Sequence, residues 1–370
     1  MKRISNLNFI RGISALFVLL FHMHVVLHIH FGGLYFLVVQ SASWMTIFFL
    51  LSGFVLHYTY REKSLDSREE LFTYVKKRFL SLYPLYVLVW IVFYFWAYET
   101  DGLKEDLVTF PAQLTMLFGY RNYQWRINSG AWFMGAIILC YLLYPLIRMY
   151  VRQLKSREVL ALALLMWILN SAAPFVGRYY GFEVYNEATV RAFEFILGVC
   201  LSELYLTREK RTQSPLWALL SVLVYLLGMY LIRRYDLFGI SGDQCRMNWF
   251  TTVSAAFILL SFAECENRTM IRLAESRPIA LLSKYSLEIW VASWFSCAVC
   301  DLYLWPHPVF NSNGVRLAAA FLVELLFVVL LSLYDHYLKK FLERIGIRYF
   351  FLGVCGFFLV SFAVRFIFRI

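Results

Sequence analysis

The sequence predicts an all-α fold, a polytopic integral membrane helix bundle with about 10–11 transmembrane helices. Of its 370 residues, 61% are hydrophobic and only 16% are charged, whereas an ordinary soluble domain has roughly 25% charged residues. The apolar runs are about 20 residues long, the length that a helix needs to cross a bilayer. They are apolar on every side, whereas the strands of a membrane barrel would be about ten-residue segments of alternating polarity.

Eleven apolar runs follow one another along the chain, and each is predicted to be a helix. A shorter segment, 107–120, contains Pro111 and follows an acidic stretch, so we expect a re-entrant or interfacial piece there. No linker or repeat interrupts the series, so residues 1–370 are expected to form a single transmembrane domain with no separate soluble domain. The runs cover approximately residues 7–30, 35–58, 79–98, 131–150, 158–176, 189–206, 215–235, 247–264, 279–304, 315–338 and 349–368.

The positive charge of the chain gathers in alternate loops. The formal net charge is +11, with 35 Lys and Arg against 24 Asp and Glu, and cytoplasmic loops of membrane proteins are basic for topological reasons. We therefore expect a cytoplasmic N-terminus and no nucleic-acid partner. Whether the last run spans the membrane stays open, because Arg365 and Arg369 lie near its end. The basic loops lie within 59–78, 148–157, 208–211, 268–277 and 339–348.

Two ionisable residues of the first run, Arg11 and His22, are predicted to share one helix face. At about 100° per residue their separation amounts to three turns plus about 20°, and they lie about 16 Å apart along the axis. Arg11 would lie at the inner mouth and His22 near mid-membrane, which suits a ligand with an anionic head and a reactive tail. His24 lies about 200° away from His22, in another environment. Taken alone, His22 could equally be a hydrogen-bonded structural histidine.

Acidic residues inside the runs also need partners, because an ionisable group at membrane depth costs about 2.5 to 3.5 kcal/mol. Glu194 follows Arg191 by three positions and is expected to pair with it on the same helix. Glu288 lies about ten residues into the ninth run, so we expect it to line a polar cavity. Glu324 has no obvious partner. Metal binding is not expected. Cys297 and Cys300 of the ninth run have CxxC spacing, but there is no second pair of cysteines and no histidine at ligand spacing.

Five segments, taken in order from residue 11 to about residue 294, resemble the signatures of the acyltransferase 3 family. Its members are multi-helix membrane proteins that O-acylate bacterial cell-surface and secreted carbohydrates. Any one segment is a weak match, but five in sequence are specific. The segments are RGISALFVLLFH (Arg11 to His22), FFLLSGFVL (Phe48 to Leu56), YVKKRFLSLYPLY (Tyr74 to Tyr86), SGAWFMGAIILCYLLYPLI (Ser129 to Ile147) and LLSKYSLEIWVASW (Leu281 to Trp294).

The resemblance implies an acyl-CoA-dependent O-acyltransferase, most simply an O-acetyltransferase, in the bacterial plasma (inner) membrane. His22 would be the catalytic base or transient acyl carrier. Glu288, selected by its depth in the ninth run and not by the resemblance, is expected to line the cavity, to partner an Arg or Lys and to be the second catalytic residue. Acetyl-CoA or another acyl-CoA would be a co-substrate, with no permanently bound cofactor. Partners would be acyl-CoA, a carbohydrate or lipid-linked glycan acceptor, and membrane lipids. The residues expected to bind donor or substrate are Arg11, Arg78, Lys77, Lys76, Ser52, Gly53 and Trp132.

Each binding residue also has a simpler interpretation. Interfacial basic residues such as Arg78 anchor helices, small residues such as Ser52 and Gly53 serve helix packing, and Trp132 suits a membrane interface. The chain departs from the family patterns at three positions, Ser81, Ile137 and Ser293, where many members carry Arg, Glu and His. Two other functions stay open, a transporter or flippase for a lipid-linked glycan and a structural membrane subunit, although no transporter-like repeat is visible.

Overall fold

The bundle is built from helices throughout. A computed structural model describes residues 4–39, 43–96, 115–116, 132–181, 184–208, 214–235 and 248–368, and within these ranges it contains helices and turns but no strand. The predicted all-α membrane bundle is therefore confirmed. The predicted re-entrant segment 107–120 lies outside the described residues, apart from 115–116.

The described helices are numbered here in chain order. They are α1 (Asn6–Leu27), α2 (Tyr35–Val38), α3 (Trp44–Tyr60), α4 (Arg68–Leu80), α5 (Tyr83–Trp96), α6 (Trp132–Val151), α7 (Ser156–Tyr180), α8 (Ala188–Thr207), α9 (Pro215–Arg234), α10 (Asn248–Ala263), α11 (Arg268–Ala274), α12 (Arg277–Lys284), α13 (Ser286–Val299), α14 (Asn313–Ile345) and α15 (Ile347–Phe368). A π-helical turn, Cys300–Leu304, extends α13.

Every predicted apolar run contains a helix, but two runs are broken. Six described helices are long and apolar enough to cross a membrane, and three shorter apolar helices, Trp44–Tyr60, Asn248–Ala263 and Arg348–Val360, accompany them. The second run divides into α2 and α3. The ninth run divides at Tyr285, where α12 ends and α13 begins. Each break lies at a short polar stretch, 40–43 (QSAS) in the second run and 283–286 (SKYS) in the ninth, which the apolar residues on both sides outweigh over a window of spanning length.

Glycines bring α3 and α8 into close contact at the centre of the bundle. A Cβ atom at Gly53 would clash with the carbonyl oxygen of Phe195, and one at Gly198 would clash with that of Leu50. Helices in membranes associate largely through such close backbone approach, because lipid supplies no hydrophobic force between them. The contact fixes α3, whose other side faces the candidate site described below.

The outer faces of the bundle are apolar. On α7, α9 and α14 large apolar side chains such as Leu164, Leu219, Leu322 and Leu325 are exposed. A soluble protein rarely shows such contiguous apolar surface. Polar contacts lie inside instead: the Asn170 amide on α7 donates to Thr252 Oγ1 on α10 over 2.6 Å. This arrangement is typical of a multi-pass membrane protein.

Candidate functional site

A cavity of about 350 Å³ opens between α1, α3, α4, α6 and α13. Two of the residues predicted to bind the donor, Arg11 and Arg78, line it together with Ser52. No acidic side chain lines it among the described residues. Two arginine side chains, with no acidic side chain among the described lining residues, make the cavity suited to an anionic ligand. Its other lining residues are Phe48, Val55, Leu56, Thr59, Tyr60, Ser81, Leu82, Phe133, Ile137, Tyr141, Ser286, Leu287 and Trp290.

Helix α4 presents Arg78 to this cavity. Ser67 and Glu70 form a capping box at its first turn, where Ser67 Oγ accepts from the Glu70 amide over 3.2 Å. Hydrogen bonds from the hydroxyl of Ser64 and from the backbone and hydroxyl of Ser67 hold the pKa of Glu70 below its usual range. The acidic first turn and the basic last turn, with Lys77 and Arg78, both match the helix dipole.

Arg78 is surrounded by tyrosine rings. Its Nη2 atom donates to the Tyr60 hydroxyl over 3.1 Å, and its Cζ atom lies 5.2 Å from the centre of the Tyr60 ring and 5.8 Å from that of Tyr141. Such cation–π contacts stabilise a partly desolvated guanidinium. The Nε atom of Arg78 is buried and has no hydrogen-bond partner among the described residues. The Nε–H group of Arg78 is therefore a hydrogen-bond donor without an acceptor in the described part of the chain, and an anion would supply one.

Arg11 reaches the cavity from α1, beside a helix crossing. At the next residue, Gly12, an added Cβ would lie 3.1 Å from Leu282 Cβ and 3.2 Å from the Ser283 amide. The glycine thus lets α12 approach α1 closely next to Arg11. The positive charges of Arg11 and Arg78 both act on the Tyr141 side chain, which is hydrogen-bonded to Ser52. Arg11 and Arg78 therefore both lie near the Tyr141 side chain in the wall of the cavity.

His22 lies further along α1 and contacts α13. Its Nδ1 atom is 2.7 Å from Ser293 Oγ, and Ser293 in turn donates to the Trp290 carbonyl over 2.8 Å. Trp290 lines the cavity, whereas His22 is not among its lining residues. Helix α13 thus connects the cavity to the histidine. His24 faces elsewhere, as predicted, with its Nδ1 atom 3.0 Å from the Ile29 carbonyl oxygen.

Comparison with known protein families matches residues 4–366 to the acyltransferase 3 family, described as "Acyltransferase domain". The chain belongs to this acyltransferase family. Among curated proteins it is similar to Acyltransferase MdmB of Streptomyces mycarofaciens, with 26% identity over 186 residues. The alignment covers 43% of this chain and 45% of that relative, less than half of either. No solved structure gave a significant match. The predicted family membership is confirmed.

Several residues predicted to bind substrate lie away from this cavity. Lys76 and Lys77 are exposed on α4 and do not line it. Gly53 packs against the backbone of Phe195, so the structure favours helix packing over ligand contact at that position. The side chain of Trp132 is buried, with its ring 5.6 Å from the guanidinium of Arg191. It packs on a buried ion pair rather than on open space.

Glu288 lies in a separate cavity. Because the ninth run breaks at Tyr285, Glu288 lies in the first turn of α13 and not ten residues into a helix. It lines a mixed-charge cavity of about 460 Å³ with Lys284, Asp335 and Lys339, and the described structure does not bring it to His22. Glu288 thus lines a polar cavity next to lysines, but this cavity is not the one lined by Arg11 and Arg78, since α13 begins later than the apolar run suggested.

Two of the positions that depart from the family patterns line the cavity. Ser81 caps α4, donating from its hydroxyl to the Arg78 carbonyl over 2.6 Å. Ile137 lies on α6 and contributes an apolar wall. At these two positions, where the family patterns suggest charged residues, this chain has a hydroxyl and a hydrocarbon side chain. Arg11 and Arg78 therefore carry the charge of the described cavity.

The buried acids Glu194 and Glu324 both contact polar side chains. Arg191 Nη1 donates to both carboxylate oxygens of Glu194 over 2.9 Å, which confirms the predicted pair. Glu324, for which the sequence offered no partner, has its Oε2 atom 2.5 Å from Ser296 Oγ on α13. The other carboxylate oxygen of Glu324, Oε1, is buried and has no hydrogen-bond partner among the described residues.

One buried polar network was not predicted from the sequence. His57 Nε2 lies 2.7 Å from Glu203 Oε2, and Arg61 donates to the same carboxylate from Nε over 2.7 Å and from Nη2 over 2.8 Å. The Tyr144 hydroxyl is 3.2 Å from His57 Nδ1. The network joins α3, α6 and α8 directly behind Tyr60. The sequence shows that His57 and Arg61 lie near the C-terminal end of one apolar run and Glu203 near that of another. Only the fold shows that these two helix ends are in contact.

Proposed function

We propose that this protein is an integral membrane O-acyltransferase that moves an acyl group, most simply acetyl, from cytoplasmic acyl-CoA to a hydroxyl of a cell-surface or exported carbohydrate. The observation that carries the proposal is the cavity in which Arg11 and Arg78 meet without an acidic residue among the described lining. An acyl-CoA carries several phosphate charges on one end and a thioester on the other. Arginine is the side chain best suited to phosphate, because its planar fork donates two parallel hydrogen bonds.

The donor would be held by its charged end. Arg11 and the buried Nε atom of Arg78 supply donors inside the cavity. Lys76 and Lys77, exposed on the same helix as Arg78, would attract the phosphates electrostatically without a fixed contact. Ser52 and Ser81 add hydroxyl groups, and the apolar lining residues such as Phe133 accommodate the uncharged arm. Carbohydrate acceptor and donor would then meet beyond Trp290, beside His22.

His22 would act as the general base. Its Nε2 atom takes the proton of the acceptor hydroxyl while the hydroxyl oxygen bonds to the thioester carbonyl carbon. The carbon–sulfur bond then breaks, and the leaving thiolate takes the proton back from His22. The products are an ester and free CoA thiol, and no other reactant is needed. A positioned base of this kind contributes about 10²- to 10⁴-fold in rate.

The proposed location is the bacterial plasma (inner) membrane, with the N-terminus in the cytoplasm. The basic segments 59–78 and 148–157 support this orientation, since Lys and Arg concentrate in cytoplasmic loops. Arg11, at the N-terminal end of α1, would then face the compartment that contains acyl-CoA. His22, about 16 Å further along the helix, would lie nearer to the exported acceptor.

The test is acyl transfer by the purified protein. We expect release of CoA thiol from radiolabelled acetyl-CoA in the presence of a suitable glycan, with the label recovered as an alkali-labile ester on the glycan. A panel of envelope polysaccharides and lipid-linked glycans supplies the acceptors. Transport of a glycan across vesicles without any consumption of acetyl-CoA would contradict the proposal and favour a flippase.

A further inference from the structure

Helix α13 places a single buried hydroxyl between its own backbone and the His22 imidazole. Ser293 is fully buried, and its Oγ atom lies 2.7 Å from His22 Nδ1 and 2.8 Å from the Trp290 carbonyl oxygen. Both distances are ordinary for hydrogen bonds to a hydroxyl. The Nδ1 atom of the imidazole is therefore hydrogen-bonded to the serine hydroxyl.

The hydrogen-bonding capacity of serine determines the direction of both contacts. A serine hydroxyl has one proton to donate and lone pairs that accept, whereas a carbonyl oxygen only accepts. The contact to the Trp290 carbonyl therefore takes the serine proton. The contact to His22 can then form only if Nδ1 carries a hydrogen and donates it to Ser293 Oγ. A neutral imidazole with hydrogen on Nδ1 has a free lone pair on Nε2.

The neighbouring turn of α13 holds Ser293 in place. Ser296 Oγ is 2.5 Å from Glu324 Oε2 on α14 and 3.2 Å from the Ser293 carbonyl oxygen. Both Ser296 and Glu324 are buried. This contact pins α13 to α14 one turn beyond Ser293 and limits rotation of the helix. The helix segment that carries Ser293 is thus held against α14 next to His22.

We propose that Ser293 is a positioning residue that holds His22 as the Nδ1–H tautomer, so that Nε2 is the atom that accepts the proton of the acyl acceptor. This inference rests on the proposed function for its consequence in catalysis. The assignment of the tautomer itself rests only on the contacts of Ser293. No hydrogen bond of His22 Nε2 is recorded among the described residues, and the proposal assigns this atom to the acceptor hydroxyl.

The direct test is nitrogen NMR of the purified protein carrying nitrogen-15-labelled histidine. His22→Gln identifies the His22 signals by their loss. At a pH at which the imidazole is neutral, we expect the wild-type protein to show a protonated Nδ1 and an unprotonated Nε2. Ser293→Ala should move the spectrum toward the Nε2–H form, and Ser293→Thr, which keeps a hydroxyl, should restore the wild-type pattern.

The catalytic readout separates positioning from folding. Ser293→Ala should lower kcat for acyl transfer by about 10-fold or more and leave CoA affinity unchanged, with recovery in Ser293→Thr. Ser221→Ala is the matched control, because Ser221 is also fully buried and donates to a carbonyl three residues earlier, Ala218, over 2.8 Å. Its transfer rate should equal that of the wild-type protein.

Two results would overturn the inference. One is a wild-type spectrum with hydrogen on Nε2 of His22, which needs no variant and no assay. The other is a folded Ser293→Ala protein with the wild-type kcat. If the wild-type protein transfers no acyl group to any acceptor but shows the Nδ1–H signal, the proposed function fails while the tautomer assignment stands.

Discussion

The Arg78 guanidinium donates to the Tyr60 hydroxyl over 3.1 Å, while its buried Nε atom has no partner among the described residues. The ring contacts hold this cation at the cavity without neutralising it. Arg11 lines the same cavity from a different helix. A buried donor without an acceptor costs free energy, and an anionic ligand would remove that cost. This is the physical link between the fold and the donor that we propose.

Arg78→Ala and Arg11→Ala should each weaken CoA binding about 10-fold or more, since a hydrogen bond to a charged group contributes about 1.5 to 3 kcal/mol. Isothermal titration of the purified variants with CoA measures this directly. Arg68→Ala is the control, because Arg68 is exposed at the opposite end of the same helix. Unchanged affinity in both cavity variants would reject the assignment of the donor site.

Gly53→Ala should destabilise the bundle by about 1 to 3 kcal/mol, the usual cost of forcing a methyl group into a packed interior. The added Cβ would meet the Phe195 carbonyl oxygen, which belongs to helix backbone and cannot rotate away. Thermal unfolding in detergent measures the effect. Gly353→Ala is the matched control, as nothing lies within 4 Å of a Cβ at that helical glycine. Equal melting temperatures for the two variants would contradict the packing account.

Glu203→Ala should destabilise the protein strongly, by about 3 to 5 kcal/mol, because removing one partner of a buried charge pair leaves the other uncompensated. Arg61 and His57 would both lose their acceptor. Glu62→Ala provides the comparison: Glu62 also pairs with Arg61, but its side chain is 55% exposed, so the change should be within about 1 kcal/mol. If Glu62→Ala lowers the free energy of unfolding as much as Glu203→Ala does, burial does not explain the contribution of this network to stability.

The proposed orientation predicts opposite labelling of two loops. Asp66→Cys lies in the basic segment after α3 and should react with a membrane-impermeant thiol reagent only when the cytoplasmic face is opened. Asn311→Cys, exposed between α13 and α14, should react from outside intact cells. The parent protein measures background labelling. Reaction of Asp66→Cys in intact cells would reverse the topology.

The helices were predictable from the sequence because burial in lipid demands long apolar segments, and each predicted run contains one. Their interruptions were not predicted, although Ser283, Lys284 and Ser286 around Tyr285 are polar, because the apolar residues on both sides outweigh them over a segment of spanning length. That break changes the depth of Glu288 and removes it from the expected cavity. Helix ends in membranes are set by packing and by the interface, which composition does not record.

The site was partly predictable. The common face of Arg11 and His22 followed from helical geometry, and the resemblance brought Arg78 and Ser52 to the same region, where the structure places them in one cavity with Arg11. The contact of His22 with Ser293 could not be foreseen, since a serine in an apolar helix usually serves packing. Partners on different helices become visible only once the crossing of α1 and α13 is known.

His22→Ala gives the sharpest test of the central claim, that this histidine is the base for acyl transfer from acyl-CoA. Inverted membrane vesicles supplied with radiolabelled acetyl-CoA report transfer as label in the glycan fraction, and titration with CoA reports donor binding. His24→Ala is the internal control, because its ring contacts the Ile29 carbonyl on another side of the same helix. We predict that His22→Ala lowers transfer by at least about 10²-fold and leaves CoA affinity within a few-fold, while His24→Ala keeps both. A folded His22→Ala protein with normal transfer would contradict the account.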